Sequence, residues 1–381
     1  MAYNYDNTIM NAKVLITYCW NRVGYNIMRS LSAHDIDVYV ADTSKRNICS
    51  MSRYIKGSYV YPDPFAEEEA FIKKLLEIIE QLHPDILLPT HDESLVIAKH
   101  IDKFPSWLII PIASYQLLQD LSDKQIATSL ASSVGVPTPR IFNSIEEIKS
   151  FPVVFKAAIS NSAKDVYFPG NLEELQNLIR QYEGRKTLIE EKCSGCDYSV
   201  DCVRGKDFFR ASVYRALVTK TEGGGTTTQR IIVEHPDLIH YAQLILDKVD
   251  YQGVCGIDFK VDDETEDAYF IEINARYTGG LATPIAAGFD IPYIHYCLCT
   301  GEDFNRDFII REGTKTKWLL GDIITFVGRL VSFKLSWKEI SQLLDFDFDA
   351  YDDFRKDDKK AILGEFSYYF EKLIKNRKLN P

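Results

Sequence analysis

Residues 253–274, GVCGIDFKVDDETEDAYFIEIN, hold two alternating runs around a polar loop. In the first, Cys255, Ile257, Phe259 and Val261 point one way and Gly256, Asp258 and Lys260 the other, the period of a strand. In the second, Ile271 and Ile273 face one side, while Phe270, Glu272, Asn274 and, beyond them, Arg276 face the opposite one. Folding about Thr265 gives an antiparallel hairpin that sets Asp258 directly across from Glu272, with Cβ atoms about 5 Å apart. Two carboxylates about 4 Å apart repel by roughly 4 kcal/mol at an effective dielectric near 20, so the pairing calls for a cation. Asp258, Glu272 and Asn274 offer hard oxygen ligands, which suit Mg²⁺. A wet antiparallel face also carries such residues as solvated charge. Arg276 and the Gly279-Gly280 turn that follow favour the clamp.

Outward from the hairpin, 381 residues exceed one ordinary core and imply two or three domains. A formal charge of −11 without a basic run argues against nucleic acid or an anionic membrane as partner. Eight cysteines without regular pairing, and an opening segment MAYNYDNTIMNAK with no apolar core, point to a reduced, cytoplasmic protein. Cys193/Cys196 and Cys297/Cys299 lack the second knuckle of a structural zinc site. The apolar stretch 318–333 is interrupted by Asp322 and Arg329, which argues against a membrane span. Its residues Leu319, Ile323, Phe326, Val327, Leu330 and Val331 read as a buried helix face.

The first 115 residues alternate strand and helix: KVLITYC, NRVGYNIMRSLSAHD, DVYVAD, a helix over 65–82, a strand over 85–89, a helix over 93–103 and a strand over 108–112. That order implies a parallel, Rossmann-like α/β sheet, although its first turn, CWNRVG, lacks the glycine fingerprint of a dinucleotide site. From Leu117 the texture becomes α+β. LSDKQIATSLASSVGVPTP reads as a helix capped by Ser122, FPVVFKAAI as a strand, NLEELQNLIRQY as a helix, and KTLIEEKCSGCDYSVDCV as two strands around Gly195. A strand over 208–220, a flexible Gly223–Thr228 loop and a helix over 235–248 lead into the hairpin. Beyond Gly301 the chain reads as a mainly helical extension, with charge runs typical of solvated helix surface.

A magnesium clamp is most useful with phosphates, which need cations of their own. Lys124 opens a helix, Lys156 ends an apolar strand and Lys164 sits in the polar loop SNSAKD; singly, each is as readily a solvated charge. In this order the residues from about Leu117 to Gly301 resemble the ATP-grasp superfamily, in particular its carbamoyl-phosphate-synthetase-like carboxylate–amine ligases. FPVVFKA is similar to the family's lysine-bearing strand, LIEEKCSGCDYSVD to its hinge and following strand, and GIDFKV with FIEINAR to its two metal-binding strands. AAISNSAKDVYF departs from the family in having no glycine after Lys156.

The resemblance implies a Rossmann-like domain over 1–115, an ATP-grasp module over 116–301 and a helical extension over 302–381. It implies ATP with Mg²⁺, or Mn²⁺ in its place. Lys124, Lys156 and Lys164 would meet phosphates, Glu190, Glu191, Lys192 and Cys193 the adenine, and Asp197 the ribose. Asp258, Glu272 and Asn274 would hold metal, and Arg276 would act on the reacting phosphate or carboxylate. Arg276 in a salt bridge with Asp258 or Glu272 is the structural alternative. The implied partners are a small-molecule carboxylate and an amine, and a homodimer is among the states allowed. An acylphosphate- or carbamoyl-phosphate-forming phosphotransferase and a non-catalytic nucleotide-binding regulator are the competing readings, and a dehydrogenase is disfavoured by the missing glycines.

Overall fold

The computed structural model describes residues 12–159, 165–221, 224–331, 340–341 and 344–376. Lys164 lies outside them. The chain divides into two units, residues 1–112 with 353–381, and residues 113–352.

In the first unit, β1 (Lys13–Ile16), β2 (Asp37–Asp42), β3 (Gly57–Val60) and β4 (Ile86–Leu88) form an all-parallel sheet in the order β3-β2-β1-β4. Parallel neighbours need crossovers: α1 (Arg22–Ala33) supplies the one from β1 to β2, residues 43–56 make the one from β2 to β3 without a helix, and α2 (Glu68–Leu82) carries the chain from β3 across to β4, which α3 (Glu93–Lys99) follows. The expected strand over 108–112 contributes only an isolated bridge, Ile109 to Ile86. Asn21 caps α1 by accepting from the N–H groups of Val23 and Gly24. The unit is completed by the C-terminal helix Lys359–Asn376. Tyr368 on that helix stacks on Trp20 with ring centroids 4.8 Å apart. Asp358, just before the helix, accepts from the Ser52 hydroxyl at 2.5 Å, the Tyr25 hydroxyl at 3.1 Å and the Arg53 backbone N–H at 3.1 Å.

The second unit opens with α4 (Tyr115–Ser122) and α5 (Lys124–Ser133). The cap is Asp123 and not Ser122: its carboxylate accepts from the N–H groups of Gln125 and Ile126, while the Ser122 hydroxyl turns back to the Leu118 carbonyl. A small antiparallel sheet, in the order β6-β5-β7, contains β5 (Val153–Ala157), β6 (Val166–Tyr167) and β7 (Thr187–Glu191), with α6 (Leu172–Gln181) between the last two in sequence.

The larger sheet has seven strands. β8 (Cys196–Gly205), β9 (Phe208–Thr221), β10 (Gly224–Val233), β11 (Gly253–Val261), β12 (Ala268–Asn274), β13 (Lys315–Lys317) and β14 (Ala350–Tyr351) run in the order β12-β11-β8-β9-β10-β13-β14. One face packs on α4, α5 and α7 (Pro236–Lys248), burying Val200, Val213, Ile257, Phe259 and Ile273. The opposite face carries the polar residues of the site.

Four further expectations change. The Gly223–Thr228 segment is not a loop over its described part: β10 begins at Gly224, because the long β9 gives it a ladder to pair with. The hairpin is irregular. Phe259 pairs with Phe270, but Asp258 pairs with Glu272, so the ladder shifts between them and Ile271 is the extra residue of a β-bulge. Phe270 therefore turns into the core beside Ile273, not onto the face of Glu272. The third change concerns α10 (Leu319–Val331), which follows α8 (Ala282–Ala286) and α9 (Ile291–Thr300). Its expected buried stripe is partly outside, with Ile323, Val327 and Leu330 exposed, while Asp322 and Thr325 are buried. Asp322 sets the rotation, since its carboxylate meets the Lys317 ammonium at 3.0 Å and the Gln229 amide at 2.6 Å. Finally, residues 302–381 are not one extension. β13 adds to β10 and stays with the second unit, whereas 353–381 return to the first. No described helix is long and apolar enough to cross a membrane.

Candidate active site

On the polar face of the large sheet, Asp258 stands across from Glu272 on one side and Ser199 on the other. The Asn274 amide donates to Asp258 Oδ2 at 3.0 Å. Burial, and then the charge of Glu272, push the Asp258 carboxyl up to about 8, with the neighbouring Ser199 hydroxyl partly offsetting them and Asp201 and Asp197 adding to them. The residue as a whole is only half-buried, so its carboxyl end is the enclosed part. Glu272 is held by the Lys124 ammonium at 3.3 Å.

Lys124 also links this face to the small sheet. It is the first residue of α5, and its backbone N–H donates to the Ala158 carbonyl at 2.9 Å, directly after β5. Lys156, on β5, forms a 2.7 Å ion pair with Glu190 on β7, both side chains almost fully buried. Glu190 Oε1 makes no hydrogen bond among the described residues. Glu191 and Lys192 are exposed and Cys193 is half-buried; burial and then Glu191 push the Cys193 thiol up to about 11. Lys192 lies over the Phe168 ring, 5.4 Å from its centroid. Asp197 accepts from the Lys260 ammonium at 2.6 Å. Arg276 follows the end of β12, donating its backbone N–H to the Asn274 carbonyl at 2.7 Å and its guanidinium to the Tyr277 carbonyl at 3.4 Å.

The sequence reading thus has Asp258, Glu272, Asn274 and Lys124 meeting at one place, Lys156 tied to Glu190 and Asp197 tied to Lys260. It missed Ser199 and Asp201. The signal was available, because DYSVD alternates with the same period that singled out the hairpin. It also missed Arg230 and Tyr214, for which no local pattern speaks.

The donor set fits a small hard cation: two carboxylates and an amide whose oxygen becomes available on rotation, in a place where burial first and the charge of Glu272 second raise the Asp258 carboxyl. Elsewhere Glu68, Glu69 and His100 also bring ligand atoms within 4.8 Å of one another. There Lys99 and Lys103 already face the two carboxylates, at 2.7 Å and 3.2 Å.

Part of the chain is similar to ATP-grasp proteins. Residues 183–319 match the family described as "ATP-grasp in the biosynthetic pathway with Ter operon". The chain is 26% identical, over 163 residues, to a D-alanine–D-alanine ligase of Fusobacterium nucleatum subsp. nucleatum, a match that takes in 40% of this chain and 55% of that protein. It therefore spans little more than half the length of that relative. Among solved structures, an L-amino acid ligase from Bacillus licheniformis superposes with a TM-score of 0.63 at 15% identity, covering 80% of this chain and 78% of that one. An N5-carboxyaminoimidazole synthetase from Staphylococcus aureus gives 0.64 at 17% identity, covering 86% and 89%.

Proposed function

We propose that the chain is an ATP- and Mg²⁺-dependent ligase that activates a small-molecule carboxylate as an acylphosphate and joins it to an amine, releasing ADP and phosphate. The observation that carries this reading is the double attachment of Lys124, whose ammonium rests on Glu272 of the clamp and whose backbone is tied to the end of the Lys156 strand. Phosphoryl transfer requires cations and phosphate ligands brought together in this way. The bound metal would supply charge neutralisation between the phosphates, and Asp258, Glu272 and Asn274 would hold it. A carboxylate oxygen attacks the γ-phosphorus, the bond to the ADP oxygen breaks, and the amine then displaces phosphate to leave an amide. In this scheme Lys124 and Lys156 orient and neutralise phosphates, the Glu190 carboxylate keeps Lys156 in one rotamer, and Arg276 stabilises the negative oxygens of the transferring group. Glu190, Glu191, Lys192 and Cys193 would border the adenine and Asp197 the ribose, with Lys260 moving aside or sharing it.

We also assign the protein to the cytoplasm. Its eight cysteines show no regular pairing in the sequence, as suits a reducing compartment.

The test is ADP release across a panel of carboxylates and amines, in wild type and Glu272→Ala. A ligase releases ADP faster when its amine is present and forms an amide. Release that ignores the amine selects the phosphotransferase, and no release with any pair selects the regulator. Unchanged release in Glu272→Ala removes the clamp from the mechanism.

A further inference from the structure

Two residues beyond Arg276, three successive residues are each gripped from a different strand of the large sheet. Asp201 on β8 accepts from the Thr278 hydroxyl at 2.7 Å. Arg230 on β10 donates to the Gly279 carbonyl at 3.3 Å. The ring of Tyr214 on β9 lies against Gly280, so closely that a Cβ there would stand 2.5 Å from the phenol oxygen. The strands are consecutive in the sheet, and Asp201 lies directly across from Gly256, two residues before Asp258. Gly256 completes the seat: a Cβ on it would come within 2.0 Å of the Thr278 methyl, so the absence of one lets Thr278 rest on the strand.

These contacts use side chains that are costly to bury. Asp201 is 3% exposed and its Oδ2 has no hydrogen-bond partner among the described residues. Arg230 is fully buried, ion-paired with an equally buried Asp352, and its guanidinium lies 5.9 Å from the Tyr214 centroid. Leaving a buried carboxylate oxygen unsatisfied costs free energy that an apolar residue would not. What the arrangement gives in return is direction. The Gly280 N–H donates to Thr278 Oγ at 3.3 Å while that hydroxyl donates to Asp201, which fixes the side chain and the turn in one orientation.

We infer that Asp201, with Tyr214 and Arg230, is a positioning residue for Arg276: the Asp201–Thr278 hydrogen bond anchors the turn two residues beyond Arg276 and so sets where its guanidinium stands beside the clamp. The inference rests on the ligase reading for its catalytic arm only. Small misplacements of a group that stabilises a transition state cost rate and leave ground-state binding intact.

The experiment compares Thr278→Val, which keeps shape and loses the hydroxyl, with Thr278→Ser, which keeps the hydroxyl, and Asp201→Asn, which keeps an acceptor. Expected for Thr278→Val is a kcat lower by about 10- to 100-fold, with KM for ATP and affinity for MgADP within about twofold. Thr278→Ser and Asp201→Asn should retain most of the rate. Placed on Arg276→Ala, Thr278→Val should lower the rate no further, because the group it positions is gone. A readout independent of catalysis is amide hydrogen exchange in a peptide spanning 275–281, which should quicken in Thr278→Val and not in Thr278→Ser. Exchange at the wild-type rate in Thr278→Val, or losses that multiply on Arg276→Ala, would overturn the inference. Absence of ligation by the wild type with any acid and amine would overturn the ligase reading alone, and the exchange comparison would still decide the anchor.

Discussion

For the proposed clamp, the enclosed Asp258 carboxyl predicts that cation binding is a proton-coupled event whose size follows from the structure. Its pKa is pushed up to about 8, by burial first and by Glu272 second. Asp201 and Asp197 add negative charge around it, and Lys124 and Lys260 are the cations paired to its neighbours. At pH 7 only about one such carboxyl in ten is ionised, so an ion that ligates it must displace a proton at a cost of about 1.4 kcal/mol. The apparent Kd for Mg²⁺ or Mn²⁺ should therefore fall about tenfold from pH 6 to pH 7, with close to one proton released per ion, and level off about one unit above the pKa. For stability the sign is that of a raised carboxylate. Between the unfolded and folded pKa values, about pH 4 to 8, the folded state holds a proton that the unfolded chain has lost, so metal-free stability declines as pH rises through that window. Stabilisation by the ion should be largest at its alkaline end. Titration calorimetry in two buffers of different ionisation enthalpy measures the released proton, and a thermal melt with and without metal measures the second effect. Asp258→Asn should weaken binding and flatten the pH dependence. Metal affinity that is constant from pH 6 to pH 8, with no proton released, would mean that Asp258 does not ligate the ion.

Lys156→Met should destabilise the protein by about 3–5 kcal/mol, because it strands a buried Glu190 charge; urea denaturation checks it, and Glu190→Gln on the same background should recover part of the loss. Arg230→Met, which breaks the fully buried ion pair with Asp352, should cost a similar amount, about 3–5 kcal/mol in the same assay. Phe270→Ala should lose about 3–5 kcal/mol if the bulge turns the ring into the core; a loss below about 1 kcal/mol would return Phe270 to the face of Glu272. Val327→Ser, on the exposed side of α10, should change stability by no more than about 0.5 kcal/mol in the same denaturation experiment.

The parts of the fold that read directly from the sequence are those governed by local period. The alternation in GVCGIDFKV faced Ile257 and Phe259 to the core and Asp258 away from it, as found. Alternation carries no count of extra residues, however. Pairing symmetric about Thr265 would leave no bulge; the observed ladder is centred between Glu264 and Thr265 near the loop, and Ile271 restores Asp258 to Glu272. The rotation of α10 was illegible for a different reason. Its apolar positions fit either side, and the choice was made by Asp322 finding Lys317 and Gln229, the latter 93 residues away. The same holds for Lys156 with Glu190, whose 2.7 Å pairing depends on the register of β5 against β7. Ionic partners far apart in sequence leave no periodic trace, so the candidate cations were recognisable as types but not as bound pairs. Asp201 was different, since its alternation with Ser199 and Asp197 was readable, and only its contact with Thr278 required the fold.

The stack of Tyr368 on Trp20 has a bearing on how the chain is made. A ribosome emits residues 1–112 before residues 113–352 and residues 353–381 after them, yet the flanking segments belong to one unit. Until the final helix emerges, Trp20 lacks its stacking partner, and Ser52, Tyr25 and the Arg53 amide lack the acceptor that Asp358 provides. All of residues 113–352 are synthesised in that interval, with their own core complete within themselves. The order of birth is thus the reverse of the order of completion: the second unit can close while the first still waits for residues 353–381.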